Sequence, residues 1–241
     1  MAWTVGAGSA SLDVKSNLSM KKQLLFPALA ALTCLGQAQA ALIISQYVDT
    51  NSGTTPKGIE LWNNGGSTID FSTSNLDVLK GTNGGTPSSD FTLNVGTIAA
   101  GEVIVIGTSD MGDYLDATFG DGSAGSSSVQ FFQESFTFNG DDSLVIRLGV
   151  GDEDIFGTPG SDPGASWSGS GVSTANQNIA LNAGVTAGST GFTDPSTRFS
   201  TISTTPAGAG GLAGFGVAPV PEPSTALLGS IALLGLLRRK R

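Results

Sequence analysis

Hydrophobic residues between positions 41 and 200 occur in short runs of β-branched and aromatic side chains, separated by glycine, serine, asparagine and other turn formers. Runs bounded in this way predict β-strands. None of them has a sustained helical period, so we expect no α-helix among them. Several short strands favour an antiparallel β-sandwich, and the predicted fold class is all-β. The runs predicted as strands are Leu42–Val48, Gly58–Trp62, Leu76–Leu79, Phe91–Val95, Val103–Ile106, Val129–Phe132, Ser143–Leu148, Asp154–Phe156 and Asn178–Leu181.

The run Val103–Ile106 differs from the others because four apolar residues follow one another without a polar one. A strand of this composition is typical of the interior of a sheet, where both of its faces are covered. We therefore expect a central strand at this position.

The chain becomes rich in serine, threonine, glycine and alanine after residue 170. Within residues 201–219, few side chains could define a core. A glycine-rich segment of this kind behaves as a flexible coil. The sequence thus predicts a β-sandwich over residues 41–200 and a flexible linker over 201–219.

The beginning of the chain has the pattern of a secretory signal peptide at residues 20–40. A basic Lys21-Lys22 pair precedes an apolar stretch, and Ala38 and Ala40 form an A-x-A cleavage site for signal peptidase. Residues 1–19 are interpreted as an upstream extension from a misplaced start codon, with a long basic region before the apolar stretch as the alternative. A lipid anchor on Cys34, the only cysteine, is a second alternative.

The end of the chain, residues 220–241, combines a proline motif, an apolar stretch and a basic cluster. Pro221-Glu222-Pro223 is followed by 13 apolar or small residues from Thr225 to Leu237. These predict a short hydrophobic helix of about 20 Å, less than the roughly 30 Å of a hydrocarbon core. The positive-inside rule places the terminal basic residues in the cytoplasm and the sandwich beyond the inner membrane. The basic residues are Arg238, Arg239, Lys240 and Arg241.

This order of motif, apolar stretch and basic cluster resembles the PEP-CTERM sorting signal of Gram-negative bacteria. The resemblance implies a transient membrane anchor, recognition near Pro221-Glu222-Pro223 by an exosortase, and delivery to the cell surface or the extracellular matrix. A plain tail anchor is the alternative interpretation. Two prolines separated by one residue keep this part of the chain extended, which suits recognition by an enzyme.

A second resemblance covers about residues 41–170. The ordered segments that carry it are Leu42–Val48, Gly58–Asn63, Ile69–Ser72, Ile98–Glu102, Phe138–Leu144 and Asp154–Gly157. They are similar to the bacterial form of the lamin-tail domain, although Gln46 replaces the more usual glutamate. The resemblance implies an immunoglobulin-like sandwich with a non-catalytic binding or accessory role, and it supports the fold more than any activity.

Composition narrows the possible chemistry. The chain has no histidine, so no imidazole base, Ser-His-Asp triad or HExxH zinc site can be assembled from it. Residues 41–220 contain 18 acidic and four basic residues, a charge that repels nucleic acid. No glycine motif has the form of a phosphate-binding loop, and we expect no cofactor.

Four carboxylates in one glycine-containing segment are candidate metal ligands. Oxygen ligands at short spacing suit Ca²⁺, although no EF-hand pattern is met, and a solvated loop is the alternative. The four residues are Asp110, Asp113, Asp116 and Asp121. The run Asp152–Asp154 is a weaker candidate, since neighbours in a strand point to opposite faces.

Two further features have a structural and a functional interpretation. Asn139–Asp142 is typical of a tight turn whose carboxylates accept backbone N–H groups, although paired carboxylates also serve glycoside hydrolases. Trp62 and Trp167 could stack on sugars such as an extracellular polysaccharide if exposed, but tryptophan more often lies in a core, and the loop-like context of Trp167 favours exposure. The sequence predicts an exported non-enzymatic surface protein, with a calcium-dependent adhesive protein or a carboxylate-based hydrolase as alternatives.

Overall fold

The computed structural model describes Met1, residues 42–51 and residues 54–219. The chain separates into two units, 1–35 and 36–241, and every element below belongs to the second. The predicted signal peptide and the sorting tail lie outside the described residues, as does the predicted extension apart from Met1. Within the described part of the chain, no helix has the length and apolar character needed to cross a bilayer.

Strands dominate the described residues, and each of the nine predicted runs overlaps one of them, with ends displaced by up to three residues. In chain order the strands are β1 (Leu42–Val48), β2 (Gly58–Asn63), β3 (Ile69–Asp70), β4 (Leu76–Gly81), β5 (Ser88–Leu93), β6 (Thr97–Ile98), β7 (Val103–Gly107), β8 (Gln130–Gln133), β9 (Ser143–Leu148), β10 (Gly151–Phe156), β11 (Ser168–Gly169), β12 (Val172–Ser173), β13 (Asn178–Leu181) and β14 (Phe199–Ser203). One α-helix, α1 (Ser109–Phe119), follows β7, and 3-10 turns lie at Thr82–Gly84 and Pro195–Thr197.

The strands form two main sheets and two short ladders. The six-stranded sheet has the order β14-β13-β1-β2-β7-β8, and the four-stranded sheet has the order β10-β9-β4-β5. All pairs are antiparallel except β7 with β8, which are joined by a crossover that contains α1. A parallel pair needs such a long connection, whereas a hairpin suffices for an antiparallel one. The architecture is consistent with the predicted β-sandwich.

A single large core contains side chains from both sheets. At its centre the ring of Tyr47 stacks on Phe138 and Phe156, with ring centroids 5.2 and 4.3 Å apart. Phe192 and Phe199 meet Phe156 edge-on. Such aromatic pairs add stability beyond the area that they bury.

A helix that the sequence analysis does not predict forms at residues 109–119, outside the nine runs. Met111, Leu115 and Phe119 are spaced four residues apart, and the first two are buried against the six-stranded sheet. That spacing places side chains on one face of a helix. The stripe is only three residues long and lies among aspartates, so the sequence of this segment has no sustained helical period.

The prediction of a flexible linker over residues 201–219 is also wrong. Residues 201–203 complete β14, and residues 204–219, here called the C-terminal strap, pack on the outer face of the six-stranded sheet. Leu212 and Phe215 are buried there with Val48, Val105 and the apolar side of α1. These two apolar anchors help to order a segment whose composition is otherwise that of a flexible coil.

Candidate functional site

The predicted calcium ligands lie on α1 and in the loop that follows it. Asp110, Asp113 and Asp116 belong to the helix, and Asp121 follows its end. Asp110 accepts a hydrogen bond from the hydroxyl of Thr108 at 2.6 Å. Asp121 is exposed, and its hydrogen bonds with the amide and hydroxyl of Ser123 lower its pKa.

Asp116 is the buried member of this group. Its two carboxylate oxygens accept the backbone N–H groups of Gly125 and Ser127, at 2.7 and 2.8 Å. The side chain thereby fixes the loop between α1 and β8. With Asp113 and Phe131, it lines an open concavity of about 420 Å³.

The four aspartates do not form the predicted metal cluster. Among the described residues, no three acidic, cysteine or histidine side chains are grouped so that they could hold a metal ion. The oxygens of Asp110, Asp116 and Asp121 instead accept hydrogen bonds from the protein itself. The segment is thus organised by hydrogen bonds to its carboxylates, and three of the four aspartates lie in a helix rather than in the solvated loop considered above.

The acidic run Asp152–Asp154 is divided between solvent and core because the pairing of β10 with β9 shifts register between Asp152 and Asp154, whereas regular alternation would place both side chains on one face. Asp152 is exposed and pairs with Arg147 at 2.6 Å. Asp154 is buried and pairs with Arg198, at 3.0 and 3.1 Å from its two oxygens. The two carboxylates have separate cationic partners, so this run is not a single acidic site.

The turn interpretation of Asn139–Asp142 is confirmed. The carboxylate of Asp142 accepts the backbone N–H groups of Asn83 and Asn139, at 2.9 and 3.1 Å. Tyr47 lies near this turn, and its pKa is raised well above its ordinary value, first by burial and then by the charges of Asp49, Asp142 and Asp141. The phenol therefore stays neutral and acts as part of the core.

Both candidate sugar-stacking tryptophans are buried. Trp62 is 2% exposed and Trp167 is 3% exposed. Trp167 packs edge-on to Phe192 in the main core, so the exposure expected from its loop-like context is not found. Because both side chains are buried, neither ring offers a face to a sugar.

A buried glutamate was not singled out by the sequence. Glu60 lies on β2 in the interior of the six-stranded sheet and is 1% exposed. One carboxylate oxygen accepts the hydroxyl of Ser45 at 2.7 Å, and the other accepts the backbone N–H of Gly216 in the C-terminal strap at 2.6 Å. Burial raises the pKa of Glu60 to about 7, although these hydrogen bonds and that of Val217 act in the opposite direction.

Two amides beside Glu60 complete the attachment of the strap. The side-chain amide of Gln46 donates to the carbonyl of Ala213 at 2.8 Å, and that of Asn178 donates to the carbonyl of Gly211 at 2.9 Å. Polar side chains of β1, β2 and β13 thus all hydrogen-bond to the C-terminal strap; they are Gln46, Glu60 and Asn178. The signal in the sequence was the presence of Gln46 and Glu60 within otherwise apolar strands, where a buried polar group needs a partner.

The sorting signal follows this strap in the sequence. The sorting motif Pro221-Glu222-Pro223, the predicted cleavage residues Ala38 and Ala40, and the terminal basic residues lie outside the described residues. Residues 219–241 match the family model of the PEP-CTERM protein-sorting motif. The searches of curated proteins and of solved structures gave no match. The motif indicates a protein sorted for export through an exosortase, a membrane enzyme, and it implies transient membrane anchoring in a Gram-negative bacterium.

Proposed function

We propose that this chain is a non-enzymatic protein of the cell surface or extracellular matrix, which is processed near Pro221-Glu222-Pro223 after export. The observation that carries the proposal is the sorting motif over residues 219–241. Signal peptidase and an exosortase are the proposed processing partners, and the inner membrane holds the chain transiently.

The proposed role of the sandwich is structural or binding. Two sheets around one core support this proposal, and we assign them to the immunoglobulin-like class on the resemblance to the lamin-tail domain. An extracellular polysaccharide is the proposed binding partner, whereas nucleic acid would be repelled by the excess of acidic residues.

The described residues give little support to the two alternative functions. A calcium-dependent adhesive protein would need a group of oxygen ligands, and the four candidate aspartates are not grouped as one. A carboxylate-based hydrolase would need two converging carboxylates in a cleft. Asp113 and Asp116 line a concavity together, but both oxygens of Asp116 are already occupied by backbone N–H groups.

The test is to locate and weigh the protein in its native host. We expect the wild-type protein at the cell surface or in the matrix, with an intact mass that ends near Pro223. The variant Pro221→Ala/Pro223→Ala should retain the full tail and remain in the inner membrane. Pro163→Ala, in a loop of the sandwich, is the matched control and should be processed like the wild type. A full-length wild-type protein in the inner membrane would show instead that the tail is a permanent anchor.

A further inference from the structure

We propose that the C-terminal strap, residues 204–219, is a pH-sensitive latch that is closed over Glu60 while this carboxyl group is protonated and opens when it is ionised.

The first observation is that Glu60 is buried without a cation. Each of the four basic residues between positions 42 and 219 forms an ion pair with an aspartate, and none pairs with Glu60. These residues are Lys57, Lys80, Arg147 and Arg198. A buried carboxylate without a counter-ion is unfavourable, because the interior solvates the charge poorly. Its hydrogen bonds from Ser45 and Gly216 compensate for part of the lost hydration.

The second observation is how the strap is held. Its backbone hydrogen bonds are short-range turns, such as Gly211 to Gly208 and Phe215 to Leu212, and it forms no strand of a sheet in the described chain. Its polar attachments to the sandwich are the bonds of Gln46, Asn178 and Glu60 described above. The strap can therefore leave the sheet without breaking any strand pairing.

The third observation concerns the two strands beside Glu60: its pairing partner on β1 is the uncharged Gln46, and apolar groups lie on the β7 side. Val105 lies opposite Glu60 in the pairing of β2 with β7, and Met111 and Leu115 of α1 complete the apolar cluster beneath the strap. Three carboxylates on neighbouring elements accept hydrogen bonds from groups outside the strap. That of Asp110 accepts the hydroxyl of Thr108, and that of Glu102 accepts the backbone N–H of Ala99. That of Asp116 accepts the backbone N–H groups of Gly125 and Ser127. Glu60 is thus the buried carboxyl group that accepts a hydrogen bond from the strap.

The direction of the response follows from the raised pKa. When the strap opens, Glu60 returns to water, and its pKa falls from about 7 to the ordinary value of 4.5. Opening therefore becomes more favourable as the pH rises through this interval. Between pH 5 and pH 8 the equilibrium constant for opening should rise on the order of 70-fold, which follows from the two pKa values by linkage.

Opening would change how far the sandwich can move from the membrane. With the strap closed, six residues separate Ala218 from Thr225, the start of the apolar stretch, and they reach at most about 20 Å. With the strap open, the length of chain between β14 and Thr225 rises to 21 residues, whose upper limit of reach is about 70 Å. Exposure of the sorting motif would then depend on pH. This consequence rests on the proposed sorting function, whereas the latch itself does not.

The latch is tested by hydrogen–deuterium exchange of the purified full-length chain in detergent. Protection of peptides that cover residues 211–219 is measured at pH 5 and pH 8, after correction for the intrinsic exchange rate. In the wild type we expect protection to fall by tens of fold at the higher pH. Glu60→Gln should stay protected at both pH values, because its side chain is never charged. Glu102→Gln, at an exposed glutamate, is the matched control and should behave like the wild type.

Equal wild-type protection at the two pH values would overturn the proposal, and so would a wild-type response in Glu60→Gln. If Glu60→Gln does not fold, Phe215→Ala serves instead, since it removes the apolar anchor of the strap. This variant should lose protection at both pH values, and retained protection would contradict the latch. Because no exosortase is present, the result does not depend on the proposed sorting function.

Discussion

Replacing Asp154 with asparagine tests which interactions hold the sandwich together. The carboxylate accepts the backbone N–H of Ile44 at 2.8 Å and that of Ser189 at 2.7 Å, and Arg198 donates to both oxygens. It therefore connects β10 with β1, with the loop after β13 and with the residue before β14. Asparagine has one oxygen instead of two, so its NH₂ group would face donors that are buried.

The expected loss of stability follows from the burial of this pair. The side chains of Asp154 and Arg198 are 2% and 10% exposed, so water can replace few of the lost bonds. An unsatisfied buried donor reduces stability by about 1–3 kcal/mol. Leaving the partner of a buried ion pair uncompensated brings the loss to about 3–5 kcal/mol. We expect Asp154→Asn to lower the free energy of unfolding by this larger amount.

The assay is urea unfolding of the full-length chain, followed by tryptophan fluorescence. Trp62 and Trp167 are buried and report on the two-sheet body. The matched control is Asp152→Asn on the same hairpin. Asp152 and Arg147 are only 2.6 Å apart, but their side chains are 41% and 38% exposed. Solvent screening and side-chain entropy make the contribution of such an exposed pair small. The reasoning fails if Asp154→Asn changes stability by less than 1 kcal/mol, or by no more than the control.

Three other predictions concern pH, packing and metal. Because the pKa of Glu60 is raised in the folded state, its contribution to stability is fully present below pH 4.5 and is lost as the pH rises through about 7, by roughly 3 kcal/mol. Urea unfolding at pH 5 and pH 8 should show this loss of unfolding free energy in the wild type but not in Glu60→Gln. The same change between the two pH values in both proteins would contradict the prediction. Gly140→Ala should lower the unfolding free energy by about 1–3 kcal/mol, since its Cβ would lie 2.4 Å from that of Ala175, whereas Gly66→Ala, with open space around it, should not. Finally, we expect the melting temperature to be the same in millimolar calcium and in EDTA, because Asp116 is occupied internally; a rise that depends on calcium concentration would support the adhesive-protein alternative.

The strands could be predicted because their signals are local. Leu42–Val48 and Ser143–Leu148 begin and end where the sequence pattern places them. Val103–Ile106 is in the interior of its sheet, with Ile104 and Ile106 in the main core and Val105 beneath the strap. An uninterrupted apolar run indicates that both faces of a strand are covered, but it does not say what covers them.

The helix and the strap could not be predicted in the same way. In α1 only three apolar residues repeat at a spacing of four, and the polar residues between them hide this period in the sequence. In the strap, Leu212 and Phe215 are isolated apolar residues in a segment of small ones, and they have a place to pack only because β1 and β7 present Val48 and Val105 on the same outer face. Contacts between such distant positions leave no periodic pattern in the chain.

The sequence by itself determined the all-β class and the sorting motif, because alternating runs, turn formers and a linear motif are properties of neighbouring residues. Tertiary structure decided which carboxylates are buried and which groups they bond to. Asp152 and Asp154 are two positions apart, yet one is exposed and the other is buried against Arg198. Glu60 is covered by an amide 156 positions away, at Gly216. Burial and hydrogen bonding fix the charge of an ionisable group, and both depend on residues that only folding brings together.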